Sequence, residues 1–267
     1  MSSKIKIIGF LLALLLGVVG KSNAQNLFEK YEERSYAETL DLPLLKLVCK
    51  KLKIPVSNVR MDKSHSIEVS PKVVFYAIQY IYKTTEENKL FTTKYLLVDK
   101  SKGEVIQHFN DKLDYLVKGA VQAYSNNIIK GKIQLSLNDN GIGIVKEVYS
   151  RSSVSLFCIH YYSILKVSDT GISLVLDNYP IYKSNGEKGM WSKNIEQETL
   201  EVSISLLKSK TNGLSDLKVN KTFQLIKKID GKPQKGHGAK KLESTTLKFN
   251  GTKYEFVEDN ELRFLDW

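Results

Sequence analysis

The second half of the chain contains five turn-forming dipeptides, and these constrain its fold more than any other feature. Asn-Gly occurs at 140–141, 185–186, 212–213 and 250–251, and Asp-Gly occurs at 230–231. Both dipeptides tolerate the positive φ angles of type I′ turns, so each one predicts a two-residue hairpin. The stretches between them are rich in β-branched and aromatic residues, which favour strands. This half of the chain is therefore predicted to form a series of antiparallel strands.

Three segments nearer the N-terminus also have the composition of strands. They are "KVVFYAIQYIYKTT" (72–85), "TKYLLVD" (93–99) and "GEVIQHF" (103–109). Successive side chains of a strand point to opposite faces, and both faces of the first segment are largely apolar or aromatic. This pattern is typical of an inner strand that is covered on both sides. Together with the hairpins, it predicts a mainly β fold whose antiparallel sheets form a sandwich or part of a propeller.

A helix is predicted before the first of these strands. Asp41 precedes the segment "LPLLKLVCKKLKIP", and Pro43 is tolerated in the first turn of a helix. Pro55 is expected to end this helix. The apolar residues that recur at helical spacing are Leu44, Leu45, Val48 and Leu52. Further upstream, Ser35 and Glu38 have the spacing of a capping box.

The first 24 residues have the parts of a secretory signal peptide. A basic start is followed by the apolar run "IIGFLLALLLGVV". Ser22 and Ala24 supply the small residues at positions −3 and −1, which predicts cleavage between Ala24 and Gln25. The alternative is a membrane anchor, but the run is shorter than the roughly 20 residues that span a bilayer. The mature chain is therefore expected to be periplasmic or secreted, with no transmembrane span.

These patterns divide the chain into three parts. Residues 1–24 form the signal peptide, residues 25–64 form an N-terminal helical segment, and residues 65–267 form a β-rich domain. One later stretch, "DYLVKGAVQAY" (114–124), has the pattern of a second helix, although Gly119 weakens it.

The chain is basic, and this limits its partners. Its formal net charge is +11, which falls to +8 when residues 1–24, with three lysines and no acidic residue, are removed. A basic surface attracts polyanions. Outside the cytoplasm these are anionic cell-envelope polymers or acidic proteins. Because no basic cluster interleaves aromatic residues with arginines, nucleic acid is not an expected partner.

The two cysteines allow two interpretations. An exported protein meets oxidising conditions, so a disulfide between Cys49 and Cys158 is one of them. Both residues also lie in apolar sequence, where a free cysteine commonly acts as a small buried hydrophobe. The sequence leaves the two alternatives equally open.

The stretch "SKTNGLSDLKV" (209–219) contains a pattern seen in calcium-binding loops. Its part "NGLSDLKV" resembles the end of the loop in FG-GAP repeats, the units of integrin-type β-propellers. That family has acidic residues at loop positions one, three, five and nine, glycine at six and leucine at ten. With Gly213 in sixth place, three further residues fit: Asn212, Asp216 and Leu217. Lys208 and Lys210 then occupy positions one and three, where their ammonium groups would repel Ca²⁺. The resemblance therefore implies a degenerate propeller-type turn without calcium, and the other interpretation is a hairpin whose Asp216 caps backbone amides.

No motif for catalysis, metal binding or a cofactor is present. There is no P-loop, no nucleophile elbow and no metalloprotease helix motif, so neither a cofactor nor a metal is expected. The four histidines share no metal-ligand spacing; they are His65, His108, His160 and His237. Cys158 and His160 share one face of a predicted inner strand, a position that favours packing over catalysis. Carboxylates considered for a glycosidase pair are Glu86, Glu87, Asp99, Glu104, Asp111 and Asp114.

Most of the aromatic residues are accounted for by ordinary β-sheet propensity, but one group of them indicates a binding surface. Tyr179, Tyr182 and Trp191 lie around the Asn-Gly pair at 185–186 and are expected to form an exposed recognition group. The sequence therefore favours a non-enzymatic exported protein that binds a protein or a cell-envelope polymer, for example as an inhibitor or immunity-type protein. The alternative is a cell-wall or polysaccharide hydrolase with an unrecognised carboxylate pair.

Overall fold

Helix α1 comprises Leu42–Lys51, as the sequence predicted. The computed structural model describes residues 27, 40–84, 89–110, 121–128, 133–150, 157–188, 193–234, 238 and 240–257. Asp41 is the N-cap, and its Oδ1 accepts a hydrogen bond of 3.0 Å from the Leu44 amide. The helix ends before Pro55 because Lys53 takes a left-handed conformation (φ 57°). The capping box predicted at Ser35 and Glu38 lies outside the described residues.

A four-stranded antiparallel sheet follows the helix, and we call it sheet 1. Two short 3₁₀ turns, Val56–Asn58 and Met61–Lys63, lead into it. Its strands run in the spatial order β1-β2-β3-β4. Their bounds are β1 His65–Ser70, β2 Val73–Thr84, β3 Lys89–Asp99 and β4 Val105–Asn110.

Strand β2 is covered on both faces, so the prediction of an inner strand is confirmed. On one face, Val74, Tyr76 and Ile78 pack in a cluster with the apolar side of α1. On the other face, Val73, Phe75 and Ala77 belong to a cluster that includes residues of the second sheet. The helix and sheet 1 therefore share one core, across the boundary predicted at residue 65.

The second sheet, sheet 2, contains nine strands and is curled. Its main path is β12-β11-β10-β9-β8-β7-β5, with β13 pairing with β11 and β6 pairing with β7. The bounds are β5 Val121–Ile128, β6 Ile133–Gln134, β7 Asn140–Ser150, β8 Cys158–Val167, β9 Ile172–Lys188, β10 Ile195–Thr211, β11 Leu214–Ile229, β12 Lys232–Pro233 and β13 Lys240–Leu247.

The two sheets contact each other through an apolar cluster and a side-chain amide. In the cluster, Phe75 and Leu97 of sheet 1 lie with Ile144 and Leu165 of sheet 2. The Ile172 amide donates to Gln107 Oε1 (2.8 Å), and Gln107 Nε2 donates to the Ile172 carbonyl (3.1 Å). The side-chain amide of Gln107 thus forms with the Ile172 main chain the two hydrogen bonds that a residue of a neighbouring strand would form. The predicted fold class, mainly β with antiparallel sheets and a short N-terminal helix, is confirmed.

Two of the five turn-forming dipeptides form the predicted two-residue hairpin turns. Asn212 (φ 49°) and Gly213 (φ 90°) join β10 to β11, with the positive φ angles of a type I′ turn. Asp230 and Gly231 also have positive φ angles and join β11 to β12. The pair at 250–251 lies in a longer loop, between residues that form an isolated bridge.

The predictions of hairpins at 140–141 and 185–186 are wrong. Gly141 lies in β7, and the actual turn precedes it, where Ser136 Oγ accepts from the Asp139 amide at 3.0 Å. Gly186 lies in β9, directly against the main chain of β10. In both cases a close contact, rather than a turn, explains the glycine.

The second predicted helix, at 114–124, is also wrong where the structure describes it. Val121 to Tyr124 belong to β5, which pairs with β7. Cross-strand pairing overrides the local preference here. Residues 114–120 lie outside the described residues. Within the described ranges, no helix has the length and apolar character required to cross a membrane.

Candidate functional site

A groove of about 400 Å³ opens beside strand β13. One wall consists of five consecutive residues, Glu243–Leu247, and the other consists of Glu255–Val257. Tyr179 from β9 and Lys221 from β11 complete the lining. Side chains of a strand alternate between its faces. Because consecutive residues of β13 line the groove, the groove runs along the edge of the strand and includes its main chain.

The base of the groove is aromatic. Tyr179 is 3% exposed and packs edge-to-face against Phe256, with ring centroids 4.7 Å apart. Burial raises the pKa of Tyr179 to about 12, so its hydroxyl stays protonated at neutral pH. The apolar surface of the base that a ligand can reach therefore belongs mainly to the partly buried Phe256.

The second wall is held in place by the segment that precedes it. The Tyr254 amide donates to the Val175 carbonyl of β9 at 2.7 Å, and the Tyr254 hydroxyl donates to the Ser215 carbonyl of β11 at 2.7 Å. Upstream, Asn250 Oδ1 accepts from the Lys253 amide at 2.8 Å. The sequence "FNGTKY" thus forms a turn and an anchor that position Glu255–Val257 opposite β13.

Polar and charged groups surround the aromatic base. Ser244, Thr245 and Thr246 are exposed polar residues of the lining, and the Ser244 hydroxyl donates to Asn220 Oδ1 (3.0 Å). Glu243 is paired with Lys241 (2.6 Å), and Glu255 Oε1 accepts a hydrogen bond from Asn250 Nδ2 (2.8 Å). Val257, at the end of the second wall, is 86% exposed. The groove therefore combines an apolar base with a polar rim, as ligand sites commonly do.

Both walls present main-chain groups that lack a strand partner within the described part of the chain. Strand β13 pairs with β11 on one side, and no described strand pairs with its other side. Likewise, no main-chain hydrogen bond joins Glu255–Val257 to a described element. In an antiparallel edge strand, about half of the residues direct their N–H and C=O groups outward.

The loop that resembles an FG-GAP repeat is a tight hairpin. Asp216 is 4% exposed, and hydrogen bonds from the Ser209 and Thr211 hydroxyls lower its pKa. These donors are side chains and not the backbone amides expected from the sequence. No group of three histidine, cysteine or acidic side chains in the described ranges is arranged to hold a metal ion. The propeller resemblance itself stays a prediction.

The two cysteines are separate thiols in the structure. Cys49 lies on α1 with no exposed surface, and burial raises its pKa. Cys158 lies at the start of β8 in sheet 2 and is half-buried. The structure therefore contains no disulfide between Cys49 and Cys158.

Cys158 and His160 do meet, but both are held in their neutral forms. Cys158 Sγ lies 3.3 Å from His160 Nε2, and Glu147 Oε1 lies 4.0 Å from the same nitrogen. Burial, and then the Glu147 carboxylate, raise the Cys158 pKa to about 11. Burial lowers the pKa of His160, against the opposing effect of Glu147. A reactive cysteine needs a thiolate, and this environment opposes its formation.

Replacing Glu147 by glutamine is expected to lower the pKa of both His160 and Cys158. The carboxylate raises both values, since it stabilises the imidazolium and destabilises the thiolate. NMR titration of the imidazole and the pH dependence of thiol alkylation would measure the two shifts. Glu104→Gln, at an exposed position in the loop between β3 and β4, is the matched control and should change neither. Shifts in opposite directions would contradict the assigned environment.

The predicted recognition residues do not form one exposed group. Tyr179 lies at the base of the groove but is buried. Tyr182 is half-buried against His160, with ring centroids 5.0 Å apart. Trp191 lies outside the described residues. The two walls were not predicted from the sequence, although the Asn-Gly pair at 250–251, which signals a turn, lies between them.

The carboxylates considered for a glycosidase pair are not gathered in the structure. Asp99 Oδ1 accepts hydrogen bonds from the Ser101 and Lys102 amides, which lowers its pKa and fixes a turn. Glu104 is exposed in the loop between β3 and β4. The four others lie outside the described residues: Glu86, Glu87, Asp111 and Asp114.

Comparison with known proteins adds no assignment. The chain matches no protein family model, no curated protein and no solved structure.

Proposed function

We propose that the mature chain is an exported, non-enzymatic protein that binds a protein or a cell-envelope polymer in the groove beside β13. The observation that carries this proposal is the groove itself, bounded by Glu243–Leu247 and Glu255–Val257 with Tyr179 at its base. The signal-peptide pattern of residues 1–24 supports a periplasmic or secreted location. An inhibitor or immunity-type protein is one form that such a binding role takes.

The lining supports binding over chemistry. The partly buried Phe256 ring, packed on the buried Tyr179, provides apolar area to cover, and the polar rim provides groups to orient a ligand. Val257 is 86% exposed beside this pair, and covering it would bury apolar surface. The described part of the groove contains no cysteine and no histidine. Its two carboxylates are already engaged in contacts with Lys241 and Asn250.

A photo-crosslinking experiment tests the proposal. A photoreactive amino acid at Thr246, in the groove, would be activated in an envelope fraction of the source cells containing the mature protein. We expect a discrete crosslinked product that excess unmodified protein suppresses. The matched control is Leu137, which is 85% exposed on another turn and does not line the groove. Equal crosslinking from both positions, or none from Thr246, would overturn the proposal.

A polysaccharide hydrolase is the second candidate, and one observation favours it. The groove has carboxylates on opposite walls, Glu243 and Glu255, and glycosidases use two carboxylates that flank the scissile bond. Zymography on peptidoglycan and common glycans would test this candidate. Turnover that disappears in both Glu243→Gln and Glu255→Gln would favour the hydrolase, and no turnover by the wild-type protein would reject it.

A further inference from the structure

We infer that the groove receives an extended polypeptide segment, which pairs as an additional strand with the open edge of β13. This inference rests on the proposed function and specifies its partner class. The edge of β13 along the groove comprises Glu243–Leu247, about 13 Å of strand at a rise of 3.3 Å per residue. A partner segment of four or five residues would cover it.

A ligand bound in the groove would cover main-chain groups of β13. A buried N–H or C=O group without a hydrogen-bond partner is unfavourable. Any ligand that fills this groove must therefore supply donors and acceptors at the spacing of a β-ladder. A polypeptide backbone has this spacing, and a glycan strand does not. Strand addition to a sheet edge is an established mode of peptide recognition.

The opposite wall of the groove supports the same class of partner. Glu255–Val257 is not part of a described strand, and its main-chain groups have no described main-chain partner. The incoming segment therefore has hydrogen-bonding groups on both sides of the groove. Pairing with β13 alone already satisfies the outward groups of that strand.

The base of the groove indicates which side chains the partner segment should carry. The base of the groove contains Tyr179, Phe256 and Leu247, of which Leu247 is 5% exposed. Alternate side chains of a bound strand would face this apolar base, and the intervening ones would face the polar rim. A segment of alternating apolar and polar residues therefore fits the groove.

Charge at one end of the edge adds selectivity. Lys240 and Lys241 begin β13 and are both exposed. Charged residues on edge strands oppose indiscriminate pairing with other sheets. Lys241 is already paired with Glu243, so an acidic residue at the corresponding end of the partner segment would complement Lys240. The expected ligand is an extended, acidic-ended peptide with apolar residues at alternate positions.

The test uses a phage-displayed library of random nine-residue peptides, selected on the mature protein. The selected peptides would be synthesised with and without N-methyl groups on alternate residues, in both registers. N-methylation removes main-chain donors and leaves the side chains unchanged. We expect at least one N-methylated register to bind roughly tenfold more weakly, the effect of losing one or two net hydrogen bonds.

Protein variants locate the binding. Val257→Asp should weaken binding of the selected peptides, since it places a charge beside the apolar base. Leu137→Asp, at a comparably exposed position outside the groove, should not. Either finding no peptide that binds, or finding peptides insensitive both to N-methylation and to Val257→Asp, would overturn the inference.

The crosslinking experiment separates this inference from the proposed function. A groove-specific crosslink from Thr246 together with failure of the peptide test would leave the binding function standing and reject strand addition. Saturable binding of soluble peptidoglycan fragments, abolished by Val257→Asp, would then assign the groove to an envelope polymer. Absence of both the crosslink and the peptide binding would reject the function and the inference together.

Discussion

Replacing Gly186 by alanine is expected to destabilise the protein by roughly 3 kcal/mol, from backbone strain and overpacking combined. A β-carbon at this position would overlap the Glu196 carbonyl oxygen and lie 2.7 Å from Gln197 Cα. Both atoms belong to the main chain of β10, which pairs with β9 at this point. Main chain within a ladder cannot move aside without breaking hydrogen bonds. Urea denaturation followed by circular dichroism would measure the change.

Gly213→Ala is the matched control for this prediction. Gly213 also has a positive φ angle (90°), but no atom lies within 4 Å of the position its β-carbon would take. Backbone strain alone should then cost about 1 kcal/mol. If the two variants lose equal stability, the close approach of β9 and β10 is not the reason for the glycine.

Leu45→Ala is expected to destabilise the protein by about 3 kcal/mol, a typical cost of truncating a buried leucine. Leu45 has no exposed surface and packs from α1 into the cluster that contains Tyr76 and Leu96. Its removal leaves a cavity between the helix and sheet 1. The free energy of unfolding, from urea titration, measures the loss.

The control for the second prediction lies on the same helix. Leu42 is 43% exposed, so Leu42→Ala should change stability by less than about 0.5 kcal/mol. Because the helix and sheet 1 share a core, Leu45→Ala should lower the stability of β2 and β3 as well. Unchanged protection of the β2 amides in the variant would contradict this shared core.

The sequence predicted those elements whose signals are local. The first turn of α1 depends on Asp41 and on apolar residues three and four apart, and both lie within one segment. The two apolar faces of β2 could likewise be predicted from alternation alone. The turn at 212–213 is determined by two residues with positive φ angles.

The wrong predictions arose where a distant segment determines the local structure. Gly141 and Gly186 have the same local sequence signal as Gly213. A β-carbon on Gly141 would lie 3.0 Å from side-chain atoms of Leu135 and Ile164, and one on Gly186 would meet the main chain of β10. Such contacts depend on strand pairing, which dipeptides do not encode.

The groove could not be predicted from local sequence patterns for the same reason. The sequence predicts Tyr179 as an exposed binding residue, whereas in the structure its side chain is buried. Its place at the base depends on Phe256, which is distant in sequence, and on the pairing of β11 with β13. Only the three-dimensional structure brings these segments to one site.

Amide hydrogen exchange along β13 of the free protein tests the central claim most directly, because the proposed site requires this edge to be open. Within Glu243–Leu247, amides bonded to β11 should exchange slowly, and the alternate, outward amides should exchange close to the rate of an unstructured chain. Slow exchange at every consecutive amide from Ser244 to Leu247 would show that the edge is already covered, which would contradict the account.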